Sequence, residues 1–382
     1  MKLGMIIKRE FRKLFIDDRI SVILILGIPI LYVILFGILY QENSIKYIPT
    51  VVYDQDQTQL SRTVIQAFAD SEKFGIMSYV TSQEEMEECI RKKTAQVSIC
   101  IPPDFGKNVK KGLASSVMIE VNGSNILFAN SAIGSAQEII SAVSAGVGQK
   151  LIEAGGKMPD ESLKKVAPLR MGLRVLNNPT YAYTNFILAG MGANGLQVGL
   201  ILVVGPLINK DYRRLDELKE VASSTLLFGK LLVYWLCGSM AFAVYTLLSI
   251  VCFHLPCQGG IASLLLIAGA YVFAVVAIAV FVGTIAPDEV QAAALPLLYI
   301  MPALLFSGYI WPKMSMNAFG LGFSLVAPIA YMADNIRDLM LNGYAPHLWR
   351  DSLTLYTAGI VLFMISSVLF RWRRSRSSLE QR

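Results

Sequence analysis

The run Ile20–Tyr40 (ISVILILGIPILYVILFGILY) contains no charged residue. About 20 apolar residues in a helix cross the hydrocarbon core of a bilayer, and within that core every backbone polar group has to be satisfied inside the segment. Over this length the chain is therefore restricted to a membrane helix. Further runs of the same kind lie at Thr184–Ile208, Leu231–Phe253, Ala262–Ile285, Val290–Phe306 and Leu353–Phe370. Residues 41–180, between the first run and the others, read as ordinary soluble sequence. The fold class expected is an α-helical integral membrane protein, with about six transmembrane helices and an α/β domain inserted between helices 1 and 2. Composition agrees: of 382 residues, 54% are hydrophobic and 16% charged, against about a quarter charged in soluble domains.

The organisation divides as follows. Residues 1–19 place Leu3, Ile6, Ile7, Phe11, Leu14 and Phe15 on one helical stripe with basic residues opposite, the pattern of an amphipathic helix lying in the membrane interface. Residues 20–40 are the first span, followed by the insert (41–180) and the bundle (181–370), with a basic tail at 371–382. The first span reads as a retained anchor, because its apolar core is long and no small-x-small cleavage pattern follows in Gln41–Ile48. In the insert, strand signals at IPTVVYD, Phe74–Val80, Gln96–Ile101 and Ser116–Val121 alternate with helix signals at Ser61–Asp70, Gln83–Lys93 and Ile126–Ile152. Ser82-Gln-Glu-Glu is a capping-box pattern. Ser307–Gly343 is apolar but interrupted by Gly and Pro, which suits a pair of short re-entrant helices.

Basic residues cluster in the head (Lys2, Lys8, Arg9, Arg12, Lys13, Arg19), after the second span (Lys210, Arg213, Arg214, Lys219) and in the tail (Arg371, Arg373, Arg374, Arg376). By the positive-inside rule all three are cytoplasmic, which puts both termini inside and the insert outside. Each of these clusters abuts a span, so nucleic acid is not an expected partner. Five cysteines at irregular spacing form no disulfide framework. Cys89 and Cys100 could pair if the insert is outside, although buried free thiols are the commoner arrangement. Cys252, His254 and Cys257, beside a proline at the end of an apolar helix, make a poor metal set.

Catalytic patterns are missing. There is no Gly-x-x-x-x-Gly-Lys-Ser/Thr, no His-Glu-x-x-His and no Gly-x-Ser-x-Gly. The spans also lack the internal carboxylates that hold coupling ions in proton- or sodium-driven carriers. Energy for transport is therefore expected from a partner. Asp334, Arg337 and Asp338 read as a solvated charge cluster in the interrupted segment. Asn194 and Gln197, mid-span, either line a translocation path or hydrogen-bond between helices.

Several stretches together resemble the ABC-2 type permeases, the membrane subunits of ATP-driven exporters, in the branch with a large external domain after the first helix. They are KREFRKLFIDDR at the head, then IPTVVYDQDQTQLSR, VSICIPPDFGKNVKKG and VNGSN in the insert, and SGYIWPKMSMNAFGLGFSLVAPIAYMADNIRDLMLNG before the last span. The link NKDYRRLDELKEVASSTLLFGK keeps Gly229-Lys230 but has Leu215-Asp216 and Ser223-Ser224 where that family usually has Gly-Thr and Thr-Pro.

The resemblance implies a permease that holds no cofactor, with ATP and magnesium on a separate nucleotide-binding subunit. It implies pairing with a second permease chain, itself or a sister, and contact with a periplasmic adaptor in a bacterial inner membrane. Segment 209–230 would couple to the ATPase, with Asp211, Arg213, Arg214, Asp216, Glu217 and Lys230 on it and Glu10 and Arg12 on the entry helix. The path would run between spans one, two and five of the pair for an amphipathic or drug-like substrate. The competing reading is a non-transporting scaffold or receptor whose external domain binds a ligand or partner.

Overall fold

The computed structural model describes residues 3–42, 45–111, 113, 115–153, 177–178, 182–213 and 222–380. The chain divides into two units, one of residues 1–43 and 175–382, the other of residues 44–174.

The first unit is helical throughout. Helix α1 (Leu3–Arg12) runs into a π turn (Lys13–Asp17) and then α2 (Arg19–Leu39). Asp18 caps α2, its carboxylate accepting from the Ser21 amide at 3.3 Å and the Ser21 hydroxyl at 2.8 Å, which satisfies a donor left free at the helix start.

In the second unit, strands β1 (Ile48–Asp54), β2 (Phe74–Tyr79), β3 (Val97–Ile101) and β4 (Met118–Val121) alternate with helices α3 (Gln59–Ala69), α4 (Gln83–Arg91), α5 (Phe105–Lys110) and α6 (Ile126–Glu153). The bundle resumes with α7 (Tyr183–Arg213), α8 (Ser223–Phe253), α9 (Ile261–Ile285) and α10 (Glu289–Leu305). It ends with α11 (Ala318–Val326), α12 (Pro328–Asn342) and α13 (Leu348–Glu380).

Helices α2, α6, α7, α8, α9 and α13 are long and apolar enough, by length and composition, to cross a membrane, α6 being the least apolar of them. Helix α10 is shorter and contains Pro296 and Pro302, and α11 and α12 meet at an 86° bend. Helix α7 is the central element, packed on α2, α9, α10 and α12. Its glycines allow this. A Cβ at Gly199 would lie 2.7 Å from the Leu24 carbonyl oxygen of α2, and one at Gly283 of α9 would lie 2.4 Å from the Gly205 oxygen. Without a hydrophobic force between helices in lipid, such close backbone approach supplies much of the packing. The last carbonyls of α9 are met by side chains: Asn209 donates to Ala286 O at 2.7 Å, and Arg373 donates to Thr284 O and Ala286 O. Arginine there both fills unpaired acceptors and complements the negative end of the helix dipole.

In the second unit, the strand order is β2-β1-β3-β4, with β1 parallel to β2 and β3, and β4 antiparallel to β3. Ile48 and Val52 of β1 pack with Val64, Phe68, Ala132 and Ala136 of α3 and α6. Val51, on the opposite face, packs with Met86 of α4. The period-2 alternation of β1 thus buries both faces under helices. Ser82 caps α4 by accepting from the Glu85 amide at 3.1 Å. Cys89 and Cys100 are both free thiols.

Candidate functional site

A charged network joins three helices at one end of the bundle. Helix α1 is amphipathic, and Ile6 packs so closely on α8 that a Cβ at Gly229 would lie 2.7 Å from its Cγ2. This approach brings Glu10 over the start of α8. The sequence places Lys230 at the edge of its span; in the structure α8 begins at Ser223, so Lys230 lies two turns inside the helix and is fully buried. Likewise α7 continues beyond Ile208 to Arg213, which puts Asp211 on a helix rather than in a link.

Lys230 Nζ stands 2.6 Å from Asp211 Oδ2 and 3.2 Å from Glu10 Oε2. Lys13 Nζ reaches Asp211 Oδ1 at 3.0 Å, and Arg9 pairs with Glu10 Oε1 at 3.0 Å and lies 3.7 Å from Asp211 Oδ2. The side chains of Glu10 and Lys230 are 0% exposed and that of Asp211 is 6% exposed. The Lys230 contacts are charge pairing rather than aligned hydrogen bonds. Two carboxylates face three cations. Burying such charges is costly unless each is paired, and removing one member leaves an uncompensated charge. The network therefore ties α1, α7 and α8 together at the two flanks of the 214–221 link.

Of the residues expected in coupling, the structure brings Glu10, Asp211 and Lys230 into one cluster. Arg12 is exposed on the other side of α1. Arg214, Asp216 and Glu217 lie outside the described residues, as does the side chain of Arg213. Arg9 and Lys13, which the sequence marks only as members of the basic head cluster, also belong to the network. Their i, i+4 spacing, which puts both on the face that carries Glu10's neighbours, was the available signal.

Asn194 and Gln197 are buried inside the protomer. The Tyr271 hydroxyl of α9 lies 2.9 Å from Ala193 O and 3.1 Å from Gln197 Oε1, an interhelical hydrogen-bonding arrangement.

At the opposite end of α7, Arg337 of α12 is not a solvated member of a charge cluster. Its guanidinium carbon lies 4.6 Å from the Phe186 ring centroid and 4.2 Å from that of Tyr309, and it donates to Tyr309 O at 2.8 Å. Tyr309 OH in turn donates to Phe186 O at 2.6 Å and accepts from the Gly190 amide at 2.9 Å. Asp334 pairs with Lys313 at 2.9 Å.

The profile of the ABC-2 family transporter proteins matches residues 19–368. The chain belongs to the ABC-2 transporter family. Among similar proteins is the "Probable multidrug ABC transporter permease YbhR" of Escherichia coli (strain K12), 22% identical over 356 residues that cover 92% of this chain and 93% of that protein. The "Inner membrane transport permease YhhJ" of the same organism is 22% identical over 337 residues, 86% of each chain. The "ABC transporter G family member 20" of Dictyostelium discoideum is 24% identical over 200 residues, 50% of this chain and 27% of that protein. In this ABC-2 protein the family match begins at Arg19, the first residue of α2, and leaves out α1 and the π turn, which supply Arg9, Glu10 and Lys13 to the network.

Proposed function

We propose that this chain is the permease subunit of an ATP-driven exporter, forming a translocation path with a second permease chain while a separate nucleotide-binding subunit hydrolyses ATP. Membership of the ABC-2 family supports the transport role. The observation that carries the coupling is the buried network Glu10–Lys230–Asp211. It fastens the entry helix to both helices that flank residues 214–221, so a push on that link moves α1, α7 and α8 as one body. Arg213, Arg214, Asp216 and Glu217, on and beside the link, are the contacts offered to the ATPase subunit, with Arg12 on the exposed side of α1.

The basic head, Lys210 and the Arg373–Arg374 end of α13 share one end of the bundle. The positive-inside rule makes that end cytoplasmic. In sequence the insert lies between the other ends of α2 and α7, and the same rule assigns it to the extracytoplasmic side, where a periplasmic adaptor would meet it. An amphipathic or drug-like substrate is supported by the multidrug designation of the YbhR relative. Asn194 and Gln197, being turned into the protomer, would support a path wall rather than form its surface.

A receptor role for the insert is disfavoured by the charged segment between α7 and α8, for which a scaffold has no need. Doubly wound sheets bind ligands outside the carboxyl ends of the strands where the order reverses, here between β1 and β3. At that end the chain's own groups bond one another: Asp54 accepts from the Asp56 and Gln57 amides and from Ser61 Oγ, and Asp56 accepts from Thr58 Oγ1 and from the Gly106 amide at 3.0 Å.

The test is affinity purification from native membranes with mass spectrometry and an ATPase assay. A co-purifying subunit with a phosphate-binding loop and vanadate-sensitive turnover is expected. Isolation of the chain without such a subunit under mild detergent sinks the reading. Simultaneous charge reversal at Arg213, Arg214 and Asp216 should then abolish transport with the complex still folded; unchanged transport would refute the role of the link.

A further inference from the structure

At the end of the bundle opposite the ion network, a cavity of about 360 Å³ lies between the bent pair α11–α12 and the first turn of α13. Its volume is within the range of small-ligand sites. One wall is apolar, made by Leu321, Leu325 and Ala330; the other is polar and includes Asp338, His347 and Arg350. Most charges around it are already committed. Asp334 is paired with Lys313 at 2.9 Å, and Asp351 accepts from Asn335 at 2.7 Å. Among the described residues Asp338 accepts from the Asn342 side-chain amide, at 3.2 Å, with Arg337 and His347 nearby, and neither Asp338 nor Arg350 forms an ion pair. The cavity is thus bordered by one uncommitted carboxylate and one uncommitted guanidinium.

Its flanks are lipid-facing in character. Phe319 and Leu325 on α11, and Trp349 and Leu353 on α13, all turn large apolar surfaces outward, with Trp349 the residue type of a membrane–water boundary. A molecule reaching the cavity sideways would come from the bilayer with its head at the polar wall and its chains along Leu321 and Leu325.

We propose that this cavity is a site for a phospholipid whose head group carries both a primary ammonium and a phosphate, as in phosphatidylethanolamine. The ammonium donates to Asp338, and the phosphate oxygens accept from Arg350. A choline head has no N–H to give Asp338, and a glycerol head has no cation for it, so both fall short by one charge-assisted hydrogen bond. Such a bond is worth about 1.5–3 kcal/mol, a preference of about tenfold or more. The site is independent of the transport reading, because it requires neither ATP nor an ATPase subunit.

The full-length chain, purified in detergent, is titrated with phosphatidylethanolamine, phosphatidylcholine and phosphatidylglycerol of identical acyl chains, and retained lipid is counted by native mass spectrometry. The wild type is expected to retain the ethanolamine lipid about tenfold better than the others. D338N with R350Q should bring the three lipids level. Gly322 lines the cavity and a Cβ there meets nothing within 4 Å, so G322L fills the space with the charges intact and should lower retention of the ethanolamine lipid. Equal retention of the three lipids by the wild type overturns the proposal. So does a preference that survives both variants, or a plain alkylammonium amphiphile held as tightly as the ethanolamine lipid.

Discussion

Replacing Lys230 by Met keeps the length and apolar stem of the side chain and deletes one charge. In the structure that charge sits 2.6 Å from Asp211 and 3.2 Å from Glu10, and the deletion removes the one fully buried cation, leaving the two carboxylates held only from the rim by Arg9 and Lys13. Breaking a buried pair from one side costs about 3–5 kcal/mol. Each kcal/mol moves the midpoint of a unit this size by about 2–4 °C, so K230M should melt on the order of 10 °C below wild type. Lys13 and Arg9 do not rescue it, because both are partly exposed and touch the carboxylates from the rim. Neutralising the three buried members (E10Q, D211N, K230M) leaves only the partly exposed Arg9 and Lys13 without partners and should recover most of the loss, since an uncharged buried replacement is often no worse than the ion pair. The assay is thermal unfolding of detergent-purified chain followed by size-exclusion fluorescence. A K230M midpoint indistinguishable from wild type, or a triple variant as unstable as the single one, would refute the reasoning.

Four further outcomes are expected. G283V forces its side chain onto the Gly205 carbonyl and should lower the yield of monodisperse protein by separating α7 from α9, at about 1–3 kcal/mol or more, whereas G134A, whose Cβ meets nothing within 4 Å, should be neutral or slightly stabilising by thermal midpoint. Y271F leaves Gln197 Oε1 without its donor and should cost about 1–3 kcal/mol, part of it restored by Q197L in the same chain; a silent Y271F would show that the pair is not formed. R337M loses the Tyr309 carbonyl and both ring faces and should lose about 2 kcal/mol, read as earlier protease cutting in the α11–α12 segment. Burial, and secondarily the Glu120 charge, push the Cys100 thiol up, so less of it is thiolate at pH 8 than in an unfolded chain. Its alkylation by iodoacetamide should be slower in the folded chain and rise as pH increases; equal rates in folded and denaturant-treated protein would contradict the burial.

The helical spans were legible because lipid imposes one requirement, a continuous apolar run, and the sequence has few other ways to meet it. The insert was legible as alternating strands and helices for the same local reasons: β-branched runs such as IPTVVYD and a capping pattern at Ser82. Helix α5 escaped because Pro102-Pro103 reads as a stop, while the structure turns through Asp104 at positive φ and restarts a helix at Phe105. The ion network was only half legible. Glu10, Asp211 and Lys230 could be singled out, but as charges flanking spans they looked like surface contacts. Their burial depends on where α7 ends and α8 begins, and helix ends are set by tertiary packing more than by composition. Arg337 was read as solvated because its neighbours Asp334 and Asp338 are acidic; nothing local marks Phe186 and Tyr309, far away in the chain, as its partners.

Helix α7 is held by different physics along its length, and the order matters for how force could pass through it. At one end the fastening is ionic and joins α1, α7 and α8. In the middle it is backbone contact, glycine against carbonyl, which tolerates little displacement before atoms collide. At the far end the Arg337 guanidinium of α12 lies against two rings, an interaction with a broad geometric optimum, while the Tyr309 hydroxyl bonds Phe186 O and the Gly190 amide of α7. A push at residues 214–221 would therefore meet a stiff junction, pass along a helix that cannot bend freely past its glycine contacts, and arrive where the attachment to α12 is the most forgiving. Such an arrangement needs no special wire of residues. It needs only that α7 move with α1 and α8 as one rigid body while α11–α12 shift against it, and the contacts at its two ends are of the kinds that permit this.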